Sequence, residues 1–81
     1  MDFVKDILPI LLPMGGGVVS IADNALKIAE RLTRGKSEQE KAKIEREIYY
    51  ELTQTCIKIG QQDGKDVTAL LKLSNDLAES L

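Results

Sequence analysis

Residues 37–60 constrain the fold most, because their sequence predicts a helix, at residues 37–59, with a recognisable start and end. Ser37 can cap the first turn, and Glu40 follows at the capping-box spacing. Gly60 comes after the last apolar residue and can adopt the left-handed conformation in which many helices end. Apolar residues recur every three or four positions and predict one buried stripe: Ile44, Ile48, Leu52, Cys56 and Ile59, widened by Tyr49. A charge at the centre of this stripe, at Ile48, is expected to unfold the domain.

A second helix is predicted at residues 17–34, ending near Gly35. The connection from Gly35 to Ser37 is minimal, so this helix and the next should form an antiparallel hairpin. Four of its apolar residues have the four-three-four spacing of a coiled-coil seam: Ile21, Ala25, Ile28 and Leu32. Val18, Ala22 and Ala29 complete its apolar stripe. We expect this stripe to form a helix-on-helix core.

A C-terminal helix is predicted at residues 66–80, with Asp66 as its cap. Its predicted stripe consists of Val67, Leu70, Leu71, Leu77, Ala78 and Leu81, with Leu73 on the flank and Ser74 inside the stripe. Ser74 should bond back to its own helix or lie near the edge of a packed seam.

Residues 1–16 form an apolar arm interrupted by two prolines. Pro9 and Pro13 each remove a backbone donor and bias the preceding residue away from helical angles. The arm should therefore be either a kinked helix or a short helix followed by an extended segment. The uncharged run from Ile7 to Ala22 would span only about 24 Å as a helix, less than the roughly 30 Å of a bilayer core, which argues against a membrane anchor.

The predicted fold is all-α, a single domain of 81 residues. It is a small helical bundle built on the central antiparallel hairpin, with the C-terminal helix and a short, proline-kinked N-terminal element packed against it. The core is aliphatic, because the chain has one Phe, two Tyr and no Trp. A small core of this kind favours oligomerisation as an additional source of stability.

Composition argues against several functions. The chain has no histidine, which removes Ser-His and Cys-His nucleophile pairs and most zinc sites. We therefore predict that it is not an enzyme and has no cofactor. The net charge of −2, with both signs interspersed, argues against nucleic acid as a partner, although Lys and Arg are locally in excess between Arg31 and Arg46. A lone cysteine, Cys56, and the absence of a recognisable signal peptide predict a cytoplasmic location.

These observations predict a non-enzymatic protein–protein interaction or assembly protein. Its apolar stripes would be completed by further copies of itself or by a partner helix. The residues expected to make the contacts are Phe3, Ile7, Leu8, Leu11 and Leu12 in the arm, together with Tyr50. The alternative is a protein that associates with a membrane surface through the apolar N-terminal segment.

Overall fold

The computed structural model describes the backbone of residues 3–80 and the side chains of residues 5–80. This part of the chain forms four α-helices and no strand: α1 (Phe3–Leu11), α2 (Gly16–Leu32), α3 (Glu38–Gln62) and α4 (Thr68–Ser80). A short 3₁₀ turn, Leu12–Met14, joins α1 to α2. The prediction of a small all-α bundle is confirmed.

The start of α3 follows the predicted capping chemistry. The Ser37 hydroxyl accepts a hydrogen bond from the Glu40 N–H at 3.3 Å and donates one to the Glu40 carboxylate at 3.2 Å. The Glu40 carboxylate thus accepts from the hydroxyl of Ser37. In a capping box it would instead accept from the backbone N–H of Ser37. At α4, the Asp66 carboxylate accepts bonds from the N–H and the hydroxyl of Thr68. These two bonds lower the pKa of Asp66.

The predicted end of α3 was wrong. The helix continues through Gly60 to Gln62, and Gly64, at φ +70°, provides the left-handed turn before α4. Gly60 is buried inside the helix, where the side chains of Met14 and Val67 come too close for a β-carbon. A glycine is therefore needed at this position for close packing, and the chain turns four residues later.

Helices α2, α3 and α4 alternate in direction along the chain. α2 and α3 form the predicted antiparallel hairpin, joined by a turn in which Gly35 has φ +73°. α4 runs back along α3, and Arg46 donates a hydrogen bond from Nη1 to the Ser80 carbonyl at 3.3 Å. Near the middle of this pair, Gln54 donates to the hydroxyl of the buried Ser74. Ser74 therefore bonds across the α3–α4 contact, not back to its own helix.

Side chains from all four helices form one core. Its buried members are Ile7, Leu11, Val18, Ala22, Leu52, Cys56, Ile57, Val67, Leu70, Leu73 and Leu77. The predicted stripe of α4 needs a correction, because Leu73 is buried while Leu71 and Ala78 are exposed; its last predicted member, Leu81, lies outside the described residues. The two hydroxyls of Thr33 and Thr53 are satisfied within their own helices, each donating to the carbonyl four residues earlier at 2.7 Å.

The N-terminal arm is helical and packs on its own chain. α1 continues through Pro9, so the extended segment considered from the sequence is absent from residues 3–14. Ile7 and Leu11, one turn apart, are 1% and 0% exposed. Burying each side chain stabilises the fold by about 1.5–3 kcal/mol, which together matches or exceeds the roughly 3 kcal/mol cost of a proline inside a helix.

Candidate interaction surface

An open apolar groove lies between α2 and α3, on the side of the hairpin that faces away from the core. Its volume is about 320 Å³. The residues that line it are Ile21, Asn24, Ala25, Ile28, Ile48, Glu51, Leu52 and Thr55. We call this feature the α2–α3 groove. Its walls are mainly aliphatic, and the polar side chains stand among them without forming a charged cluster.

The groove exists because the apolar stripe of α3 is wider than the face that the core covers. Successive residues of a helix are turned by about 100°, so the stripe turns by about 40° from Ile48 to Leu52 and by about 40° again from Leu52 to Cys56. Leu52 and Cys56 are buried in the core. Ile44 and Ile48 are only half-buried, and Ile48 lines the groove. The prediction that Ile48 lies at the centre of the core was wrong.

On α2, the same groove exposes part of the predicted coiled-coil seam. Ile21 and Ala25 pack at the edge of the core, whereas Ile28 in the groove and Leu32, about one turn beyond the groove lining, are 48% and 53% exposed. The buried face of α2 consists of Val18, Ala22 and Ala29, which are smaller and allow α3 to approach closely. The larger seam residues are displaced to the flank by this close approach. The coiled-coil spacing of α2 thus indicates an apolar surface that the described helices of the same chain do not fully cover.

The two edges of the groove carry charges of opposite sign. Helical periodicity places the exposed side chains of Lys27 and Arg31 on the outer edge of α2. It places Glu47 and Glu51 on the outer edge of α3. Lys27 also forms an ion pair with Asp23 at 3.0 Å, with both side chains 61% exposed. The α2 edge is therefore basic at Lys27 and Arg31, and the α3 edge is acidic at Glu47 and Glu51, with the exposed Lys58 following about one turn beyond the groove lining.

The residues predicted to make interactions are not gathered on this surface. Ile7 and Leu11 lie inside the core of their own chain, so the prediction that they contact another chain was wrong. Leu8 and Tyr50 are half-buried, with Tyr50 packed against the core. Leu12 is 64% exposed on the 3₁₀ turn. Phe3, the sixth predicted contact residue, has a side chain outside the described set.

The position of α1 bears on the membrane-surface alternative. The described helices include none that is long and apolar enough to cross a membrane. Ile7 and Leu11 point into the protein, so they could reach a bilayer only if α1 left its place in the core. Among the large hydrophobic side chains of the arm that the structure describes, Leu12 is the exposed one.

Groups with reactive chemistry are used in packing. Cys56 is fully buried, and this burial raises the pKa of its thiol. A buried neutral thiol is a weak nucleophile and behaves as a small hydrophobic side chain. Among the residues that the structure describes, no three acidic or cysteine side chains come together in a way that could hold a metal ion.

Comparison with known proteins identifies no relative: no family model, curated protein or solved structure matches this chain. The functional conclusion is therefore drawn from the α2–α3 groove and its charged edges.

Proposed function

We propose that the protein is a non-enzymatic assembly module whose α2–α3 groove binds the same groove of a second copy. The observation that carries this proposal is the half-exposure of two large aliphatic residues, Ile28 and Leu32, beside the half-buried Ile48. Aliphatic side chains grouped in this way favour association with another apolar surface. The hydroxyl of Thr55 in the groove lining donates to the backbone carbonyl of Glu51 at 3.0 Å, which supports a structural role for it and binding in preference to catalysis.

A second copy is the occupant that fits both the shape and the charge of the surface. The occupant must present an aliphatic helical face, and the groove itself is such a face. The occupant must also bring acidic groups to the edge with Arg31 and basic groups to the edge with Glu47. An identical groove carries both kinds of edge, so self-association satisfies both requirements with one surface.

The energetics predict a weak complex. Burying the exposed half of an Ile or Leu side chain contributes about 1 kcal/mol, since complete burial contributes about 1.5–3 kcal/mol. Ile28 and Leu32 of both copies then supply about 4 kcal/mol, and the two Ile48 side chains add to this. Association also costs translational and rotational entropy, which offsets much of a gain of this size. We therefore expect a weak, reversible dimer that forms at high protein concentration, in a cytoplasmic protein.

Light scattering on a concentration series tests the proposal. The mass should rise from that of one chain, 8.9 kDa, towards twice that value as the concentration increases. Leu32→Asp should abolish this rise, because it places a carboxylate in the apolar contact. The matched control is Leu71→Asp, which changes a 46% exposed leucine on α4, away from the groove.

The control should associate like the wild type, and circular dichroism should show that both variants are folded. A wild-type chain that stays at 8.9 kDa at every concentration would overturn self-association. Equal loss of association in Leu71→Asp and Leu32→Asp would place the contact elsewhere and overturn the role of the groove.

A further inference from the structure

We infer that the two copies pack with α2 of each chain over α3 of the other, around a two-fold axis parallel to the helices. This inference rests on the proposed function and specifies the geometry of the same surface. Two two-fold arrangements can bring the grooves face to face. They differ in which helices meet, and the charges of the groove edges distinguish between them.

The groove lining fixes which residues of α2 and α3 lie at the same level. Ile21 and Thr55 lie towards one end, and Ile28 and Ile48 towards the other. The hairpin is antiparallel, so a step forward along α2 stays level with an equal step backward along α3. Leu32 therefore lies near the level of Ile44, and Arg31 lies within about one turn of the level of Glu47.

A two-fold axis parallel to the helices keeps every residue at its level and exchanges the two sides of the groove. The exposed Leu32 of one copy then covers Ile44 of the other, and Ile28 covers Ile48. The same operation brings Arg31 beside Glu47 of the second copy, twice in the dimer. Apolar contact and opposite charges are satisfied by one arrangement.

The other arrangement has its two-fold axis in the interface but perpendicular to the helices. It places α2 against α2 and α3 against α3. With this axis at the middle of the groove the levels are reversed, so Glu51 would face its own copy, Glu47 would meet Lys58, and Arg31 would meet the uncharged start of α2. This arrangement adds a like-charge contact at the centre and gives Arg31 no acidic partner in the second copy, so the first arrangement is favoured.

A charge-exchange experiment distinguishes the two. Arg31→Glu and Glu47→Arg should each raise the dissociation constant of the dimer, measured by sedimentation equilibrium, by roughly tenfold, because each replaces two attractive contacts with two repulsive ones. The double variant should recover an affinity within about threefold of the wild type, because the exchanged charges attract again. Glu79→Arg, an exposed change of the same charge on α4, controls for net charge.

The outcomes separate the arrangement from the proposed function. Recovery in the double variant, with Glu79→Arg close to the wild type, supports the exchanged packing. Weaker association in both single variants without recovery in the double variant would show that Arg31 and Glu47 do not meet, and this would overturn the inference while leaving self-association through the groove in place. A dimer unaffected by either single change would also overturn it. Absence of any dimer in the wild type would instead overturn the proposed function, and the inference with it.

Discussion

The side chain of Met14 lies directly over Gly60, and a β-carbon built on Gly60 would stand 2.6 Å from Met14 Cε. The same β-carbon would stand 2.6 Å from Cγ1 of Val67. The 3₁₀ turn and the residue before α4 thus both pack against α3 at Gly60. The contact explains how a glycine is accommodated in the interior of a helix, where it otherwise weakens the helix.

Gly60→Ala should destabilise the protein by about 1 kcal/mol. Overpacking costs about 1–3 kcal/mol, and the higher helix propensity of alanine returns about 1 kcal/mol. Met14 can move its terminal methyl group, whereas Val67 is stiff because it is branched at Cβ. Urea unfolding followed by circular dichroism measures the change in the free energy of unfolding.

Gly17→Ala is the matched control for this change. Gly17 is also helical, but a β-carbon there would have no neighbour within 4 Å. Alanine should therefore stabilise the protein at this position, by up to about 1 kcal/mol. Equal stabilisation by Gly60→Ala and Gly17→Ala would show that Met14 and Val67 do not hold the positions described.

Ile48→Asp should leave the domain folded, which reverses the expectation drawn from the sequence. Ile48 lines an open groove, so the new carboxylate can remain hydrated, and the loss of stability should be about 1–2 kcal/mol. Leu52→Asp, one turn further along α3, changes a residue that is 4% exposed. It should cost more than about 4 kcal/mol, because it creates a cavity and buries an unpaired charge.

Far-ultraviolet circular dichroism and urea unfolding of the two variants measure this contrast. Ile48→Asp should keep the wild-type helical signal and a cooperative transition, whereas Leu52→Asp should lose both. If Ile48→Asp were unfolded in water, Ile48 would belong to the core and the groove would be closed.

Burial of Cys56 should make stability fall at alkaline pH. The pKa of its thiol is raised in the folded state. At a pH between the pKa of the unfolded chain and that of the folded chain, the unfolded chain has therefore released a proton that the folded chain still holds. The contribution is fully present below the unfolded pKa of about 8.5 and is lost as the pH rises above it. The loss should be at most about 1.4 kcal/mol per pH unit.

The comparison to make is between the wild type and Cys56→Ala, because tyrosine and lysine side chains titrate in the same range and affect both proteins. The difference in their free energies of unfolding should be constant between about pH 7 and 8 and should shift against the wild type above about pH 9. A constant difference up to about pH 10.5 would mean that the thiol ionises as readily in the folded protein as in the unfolded one.

Local signals in the sequence predicted the helices well. Ser37 and Asp66 cap α3 and α4 as expected, because capping depends on residues within a single turn. The α2–α3 hairpin followed from the short connection between them. The helix end predicted at Gly60 was wrong, because a glycine that permits a turn and a glycine that permits close packing look the same in sequence. The contact with Met14, which is distant in sequence, decides between them.

Which face of each helix is buried was harder to predict, since it depends on neighbours that periodicity does not identify. Ile48 and Cys56 were assigned to one stripe, but α2 meets α3 between them and leaves Ile48 on the open side. Leu71 and Leu73 differ by about 200° around α4, and only packing against α1 and α3 selects Leu73.

The candidate surface was visible in the sequence only in part. The four-three-four spacing from Ile21 to Leu32 marked α2 as a helix-packing surface, although it was assigned to the core. The sequence predicted the contact surface on the apolar arm instead, because the prolines and glycines around Leu11 are typical of a hinged segment. The structure places Leu11 in the core, where it is fully buried together with Ile7 and Leu70.

Helix α3 also has a third side, which faces neither the core nor the groove. Lys43 and Gln61 are both exposed there, and they point in the same direction because about five complete turns separate them. The two positions are about 27 Å apart along one continuous helix. Spectroscopic probes attached at these two sites would form a ruler of fixed length, from which distances between chains could be calibrated in solution.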